Sequence, residues 1–414
     1  MPRFEDGAIN PQELIRRLAE DVANGIMDAE ADQMCEATGN SRNGYRPRTL
    51  KTCVGELSLR VPKLRSGSFF PEDVITRYQR VDRALAAAVA EMYAMGTSTR
   101  KVQRVAERMG VSRLSKDQVS AIARDLDADV AELVGRDLSG SRVPYVWLDA
   151  TYVKCRVDGR SVSQAVVTAI GLDDTGHKRF LGVDCVDTES YDGWREFLSD
   201  LRSRGVAAGE DGVQLVVSDA HEGLRRAIAE SFQGAAWQRC ITHLMRNVAG
   251  HIRGKGDQRV AREAMKAAFA QKSPLVARAC YQRAAEEVAR LSPAAGRVMM
   301  EAEEEALAYL AFPVSHRSKI RTNNVQERAN REIKRRTNVV QGFPSRESLI
   351  RLVGAALIEA DGEWSARCVI SRPSLAHAWR RPEAPAPSEE SVLAARQAAD
   401  RIISAAVDLG GEQG

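Results

Sequence analysis

The stretch QLVVSDAHEGLRRAI, residues 214–228, ends a β-branched run on an aspartate just where a helical pattern begins. Leu215, Val216 and Val217 make the short apolar run of a buried strand, and the run stops at Ser218 and Asp219. A carboxylate there stands at a strand's C-terminal rim, where α/β proteins place ligand sites. Ser218 or Asp219 also suits the N-cap of the helix that passes through Leu224 and Ile228.

The surrounding sequence extends the strand reading. Residues 142–188 contain VPYVWLDA, TYVKCRV before the turn DGR, and SQAVVTAIGL before the turn DDTG, with KRFLGVDCV completing the third hairpin. Next come a helix in DGWREFLSDLRSRG, the strand QLVVSD, a helix in AHEGLRRAIAESF, and AAWQRCITHLMRNVA as a short strand feeding a helix. Three strands, helix, strand, helix, strand, helix predicts a mixed sheet, and a ribonuclease-H-like α/β core fits that order best.

PYVWLDA ends in Asp149 as QLVVSD ends in Asp219. On neighbouring strands the two carboxylates would repel, and keeping both ionised calls for a cation. Mg²⁺ or Mn²⁺, hard ions that take oxygen ligands, suit the pair, and two such ions about 4 Å apart serve phosphoryl transfer. Two unrelated strand-end caps are the alternative. A third acid, Glu327, sits in the basic stretch RTNNVQERANREIKRRTN, with Asn330, Arg331 and Lys334 on its helical face. There it serves either a metal, with its basic neighbours on a phosphate backbone, or an internal salt bridge. Glu332 lies roughly 140° away around the helix. Cys240 and His243 have metal-ligand spacing but no second pair nearby, so a four-ligand zinc site is not expected. His243 can steady a phosphate or orient Asp219; equally, it can be a polar lining residue beside a buried thiol.

With 414 residues, 44% of them hydrophobic, the chain is long enough for two or three domains. Its net charge is only +4, but the bases cluster: seven against one acid from Arg42 to Arg65, and nine against two from Arg317 to Arg346. Such blocks suit phosphate contacts or plain solvated faces. Seven scattered cysteines without a CxxC pair suggest reduced thiols, and no apolar run suits a leader or a membrane span. A cytoplasmic protein, nucleoid-associated when bound to DNA, is expected.

Residues 11–37 read as a helix with apolar positions Leu14, Ile15, Leu18, Val22, Ile26 and Met27, followed by a break in GNSRNGYRPR. LKTCVGELSLRVPKLRSG reads as a basic hairpin with Val54, Leu57, Leu59 and Val61 inward. From 82 to 130 three helices follow, with Thr97 or Ser98 as one cap and a Ser115/Gln118 capping box. That spacing matches a helix-turn-helix plan, with Arg100, Lys101, Arg104, Arg113 and Lys116 available to DNA, although small helical domains without DNA contact share it. Residues 247–315 read as an inserted helical subdomain broken at Ser273-Pro274 and Ser292-Pro293. A proline-containing linker, a short alanine-rich helix and the end DLGGEQG are expected to be mobile. The division expected is 1–80, N-terminal helix and hairpin; 81–140, helical DNA-binding domain; 141–246 with 316–364, catalytic core; 247–315, insertion; and 365–414, flexible tail.

The ordered set PYVWLDATYVKCR, QLVVSDAHEGL, WQRCITHLMRNV and RTNNVQERANREIKRRTNVVQGFPS resembles the Mutator-type family of bacterial insertion-sequence transposases, from the N-terminal helix to about Trp364. The resemblance implies a ribonuclease-H-like core with an acidic triad and two divalent ions, Mg²⁺ or Mn²⁺, that cleaves and joins DNA at terminal inverted repeats. It places the triad at Asp149, Asp219 and Glu327, matches the family's Cys-x-x-His to Cys240 and His243, and sets Asn324, Arg328 and Asn330 in the frame around the glutamate. Lys334, Arg335 and Arg336 are expected to neutralise backbone charge. The partners expected are double-stranded DNA with terminal inverted repeats, target DNA and at least a second copy of the chain, with no membrane. A metal-dependent nuclease without joining and a non-catalytic DNA-binding protein are the competing readings.

Overall fold

The computed structural model describes residues 2–71, 81, 83–109, 111, 114–124, 126–157, 159–340, 342–380 and 386–412. The chain divides into two compact units, Met1–Asp129 with Arg336–Val340, and Val130–Arg335 with Gln341–Gly414.

The first unit opens with helix α1 (Pro11–Thr38), capped by the Asn10 side chain and started by a proline. The antiparallel hairpin of β1 (Arg42–Thr52) and β2 (Gly55–Leu64) follows. The break expected in GNSRNGYRPR is therefore mostly strand: Arg42 to Arg48 pair across to β2 although their side chains are largely exposed, so no apolar alternation announces them. Leu57, Leu59 and Val61 are buried against Met27 and Ala31, whereas Val54 falls in the turn. The face that α1 buries also carries Asn24, whose amide oxygen accepts from the Arg60 backbone at 2.8 Å. Of the six apolar positions expected in this helix, Met27 is buried, whereas Leu14, Ile15, Leu18, Val22 and Ile26 are exposed.

Helices α2 (Arg83–Ala94), α3 (Thr99–Arg108) and α4 (Lys116–Ala123) share a small core of Leu85, Val89, Val102, Ala106, Val119 and Ile122. Ser115 and Gln118 form the capping box, each side chain bonded to the other's backbone. Ser98 occupies the N-cap of α3 but makes no side-chain bond there. Helix α5 (Leu126–Gly135) leads to the second unit.

That unit is built on a five-stranded sheet of β3 (Tyr145–Val157), β4 (Arg160–Leu172), β5 (Lys178–Val186), β6 (Leu215–Ser218) and β7 (Ala236–Arg239), in the order β5-β4-β3-β6-β7. β3, β4 and β5 pair antiparallel; β6 and β7 join in parallel, the crossovers made by α6 (Tyr191–Ser203) and α7 (Glu222–Ser231). This mixed α/β arrangement, with a helical region before it, is consistent with a ribonuclease-H-like core. The runs VPYVWLDA and TYVKCRV are one continuous strand, so Asp149 lies within β3 rather than at its end. At the β4–β5 turn, Gly176 has φ +89°, and a Cβ there would lie 1.8 Å from the Ile370 carbonyl oxygen, so only glycine lets residues 367–370 run alongside.

After β7 come α8 (Ile241–Gly250), α9 (Lys255–Phe269), α10 (Pro274–Leu291), α11 (Pro293–Glu301), α12 (Glu303–Leu307) and α13 (Val314–Ile320). Ser273 and Ser292 each cap the helix their following proline begins, contributing about 1 kcal/mol apiece. Then follow α14 (Asn324–Thr337), α15 (Arg346–Ser365), the one-turn α16 (Arg372–Leu375) and α17 (Glu389–Glu412). The tail expected to be mobile is in fact docked from 389 to 412. Ala395, Ala399 and Ile403 recur every four residues and are buried, and Ala399 and Ile403 join the core of Met265, Phe269 and Tyr281 in the insertion helices. Arg283 pairs with Asp400, and Arg259 Nε donates to the Gly410 carbonyl.

Candidate active site

The sheet register brings the two aspartates together. β3 and β6 pair from Tyr145↔Leu215 to Trp147↔Val217, so Asp149 and Asp219 both stand two residues beyond the last pair. There β6 ends, while β3 continues along β4. Asp219 does not cap the following helix; His221 does, its Nδ1 accepting from the Leu224 N–H at 3.3 Å.

Helix α14 lies over this place because its inward side chains bond the sheet. Gln326 donates to the carbonyls of Trp147 (2.7 Å) and Thr168 (3.1 Å) and accepts from the Thr168 hydroxyl (2.9 Å). Asn323 donates to the Leu148 carbonyl at 3.0 Å, and its backbone N–H points to Cys240 Sγ at 3.2 Å. These bonds fix the phase of the helix, so that Asn330 donates to Asp149 Oδ2 at 2.8 Å. The Ala150 N–H donates to the other Asp149 oxygen at 2.9 Å.

His243, on the first turn of α8, joins the remaining acids. Its Nδ1 pairs with Asp219, and its Nε2 lies 3.8 Å from Glu327. Arg246, one turn further on, reaches the same Glu327 oxygen at 3.3 Å. Asp219, Cys240 and His243 offer a carboxylate, a thiol and an imidazole atom all within 4.8 Å of one another. Among the described residues, the three acids do not close into such a group by themselves.

The electrostatics are uneven. Burial, and then the neighbouring Asp219 charge, push the Asp149 carboxyl up to about 7. The bond to Asp219, and then that to Cys240, pull the His243 imidazole up to about 10, so it is charged at neutral pH. Positive charge between Asp219 and Glu327 is therefore supplied by the His243 imidazolium and the Arg246 guanidinium. Asp219, Cys240 and His243 thus form a cluster whose donors could hold a metal ion, beside an Asp149 carboxyl that burial first, and the Asp219 charge second, make reluctant to ionise.

A family profile described as "Transposase, Mutator family" matches residues 5–367. The chain belongs to the Mutator family of bacterial insertion-sequence transposases. It is similar to the transposase for insertion sequence element IS1081 of Mycobacterium tuberculosis, 38% identical over 360 residues, covering 85% of this chain and 86% of the relative. The transposase for ISRM5 of Rhizobium meliloti is 37% identical over 358 residues, covering 85% and 88%. The transposase for IS256 in transposon Tn4001 of Staphylococcus aureus is 34% identical over 354 residues, covering 85% and 89%. In this family member no helix among the described residues is long and apolar enough to cross a membrane.

The other expected site residues are scattered. Arg100, Lys101, Arg104 and Lys116 are exposed on α3 and α4, while Arg113 lies outside the described residues. Asn324, Arg328, Arg331 and Lys334 are exposed on α14. Arg335 is paired with Glu332 at 2.9 Å. Arg336 is buried, with its Nη1 donating to the Ala94 carbonyl at 2.6 Å within the first unit, so it is not presented to a phosphate. Asn330, expected at the DNA, serves Asp149 instead. Sequence reasoning missed Arg246; its only signal is a position three residues after His243, on the same helical face.

Proposed function

We propose that the chain is a DNA transposase that cleaves element ends and joins them to target DNA, with Asp149, Asp219 and Glu327 as the metal-holding triad. The observation that carries this reading is the equivalent register of Asp149 and Asp219 on neighbouring parallel strands, with Glu327 reaching Asp219 through His243. Two Mg²⁺ or Mn²⁺ ions held there would activate the attacking hydroxyl and stabilise the leaving oxygen.

The protein's own groups prepare that chemistry. Asn330 and the Ala150 N–H fix the Asp149 carboxylate so that its oxygens need no reorientation. His243 orients Asp219 and, as imidazolium, adds positive charge where a phosphodiester becomes more negative. Arg246 holds Glu327 toward the aspartates. The exposed bases of α14 and of α3 and α4 are suited to the DNA backbone, the latter within a helix-turn-helix-like region that reads the terminal inverted repeats. Residues 141–246 and 316–364 would form the ribonuclease-H-like catalytic core, with 247–315 inserted. Holding two element ends together calls for at least two copies.

The test is cleavage and strand transfer of a labelled duplex carrying the flanking terminal repeat, with Mg²⁺ and then a chelator, for wild type and E327Q. Metal-dependent nicked and joined products that vanish in E327Q are expected. Nicking without joining would make the chain a nuclease, and products that survive E327Q would remove Glu327 from the triad.

A further inference from the structure

A second polar site lies on the opposite flank of α14 from Glu327. The sheet order sets β5 and the β7–α8 segment on opposite sides of β3. Helix α14, held to β3 through Gln326, thus turns Glu327 toward α8 and Arg328 toward β5. On the β5 side is a cavity of about 450 Å³ into which Lys178, Lys319, Arg328 and Arg367 converge, with Trp147 and Trp364 in its wall. Glu363 is the acid of that lining, so bases outnumber acids four to one. None of the four cations has an ion-pair partner among the described residues. Elsewhere in the same unit a crowded base is matched by acids, as Arg278 is by Glu303 and Glu304.

Lys178 is the half-buried member of the set. Burial, and then Arg328, Lys319 and Arg367, hold its ammonium below the ordinary lysine range. Gathering three like charges around a half-buried lysine costs folding energy that an anion in the cavity would offset. The first turn of α14 adds to this preference, because Asn324 and Val325 line the cavity at the positive end of a 14-residue helix. Trp364, the partly exposed tryptophan of the wall, offers a face for a sugar or base beside the charge.

We infer that this cavity is a phosphate-ester site of the catalytic unit, taking a backbone phosphate of DNA on the far side of α14 from the acids. The inference rests on the transposase reading for the source of the phosphate; a free nucleotide has the same chemistry. Lys178 and Arg367 bind the phosphate, and Arg328 links the site to the helix that carries Glu327. Both flanks of α14 thereby contact one nucleic acid.

The test is acylation of lysines in the full chain by a water-soluble acetylating ester, followed by peptide mass spectrometry with exposed Lys272 as the reference. A terminal-repeat duplex should slow acetylation of Lys178 at least fivefold and leave Lys272 unchanged. Slowing by millimolar deoxynucleoside monophosphate, but not by duplex, would assign the site to a free phosphate ester. No slowing by either overturns the inference. K178M with R367M should also lower the salt slope of duplex binding by about one, the share of the one phosphate no longer neutralised; an unchanged slope would count against a DNA phosphate there. Protection of Lys178 in a chain that neither cuts nor joins DNA would strike the transposase reading and leave the pocket standing. Normal cutting with Lys178 unprotected would strike the pocket alone.

Discussion

Asp149 and Asp219 stand at matching places beyond one parallel ladder, yet their surroundings differ. β3 runs on past Asp149, which is partly buried and bonded by Asn330 and the Ala150 N–H; β6 stops, leaving Asp219 42% exposed and paired with His243. The first therefore holds its proton to about 7, while the second has a charged partner. Register sets where two carboxylates meet, and the chain beyond the register sets what each one touches.

The largest expected effect treats the two alike. D149N and D219N should each lower cleavage and joining by at least about a thousandfold while duplex binding persists, as for loss of a group that stabilises charge in the transition state. A variant that retains its products would separate the pair as functional equals.

The next effect divides them. Folding raises the Asp149 pKa from 3.8 to about 7, so its contribution is most favourable below 3.8 and is lost as pH rises toward 7. At pH 8 with a chelator, D149N should raise the melting temperature, because it removes a cost of up to about 4 kcal/mol for ionising a partly buried carboxyl. D219N should lower it, because the His243 imidazolium loses its partner. Melting temperatures that move in the same direction in both would break the comparison.

A smaller change is expected at His243. Its ring should titrate near 10 by NMR in wild type and fall toward its ordinary 6.5 in D219N. The stability that this raised pKa supplies is complete below 6.5 and disappears as pH climbs through about 10. An unmoved titration in D219N would detach the imidazole from Asp219. The smallest effect is at the cap: H221A should cost about 1 kcal/mol by denaturant melting, with cleavage nearly unchanged. A deep loss of cleavage would give His221 a part in the chemistry.

The strand ending before Asp219, the mixed sheet and the basic helix were legible because apolar runs and single acids are local signals. Asp149's position inside its strand was not, because it depends on β6 stopping beside it, which nothing in YVWLDATYV records. Asn330 read as a DNA contact for the same reason: its partner is 181 residues away. The apolar repeat of α1 was legible, but its buried side is set by the hairpin, which selects Asn24, Met27 and Ala31. In α17 the repeat of Ala395, Ala399 and Ile403 was present in the sequence, and the glycine-rich end and proline linker obscured it.

The docking of α17 also bears on how the chain is made. Helices α9 and α10 leave the ribosome well before the helix that covers them, so Met265, Ala268 and their neighbours wait uncovered during synthesis. An interrupted gene copy ending before residue 389 would yield a chain whose insertion never closes, a substrate for proteases rather than a smaller enzyme.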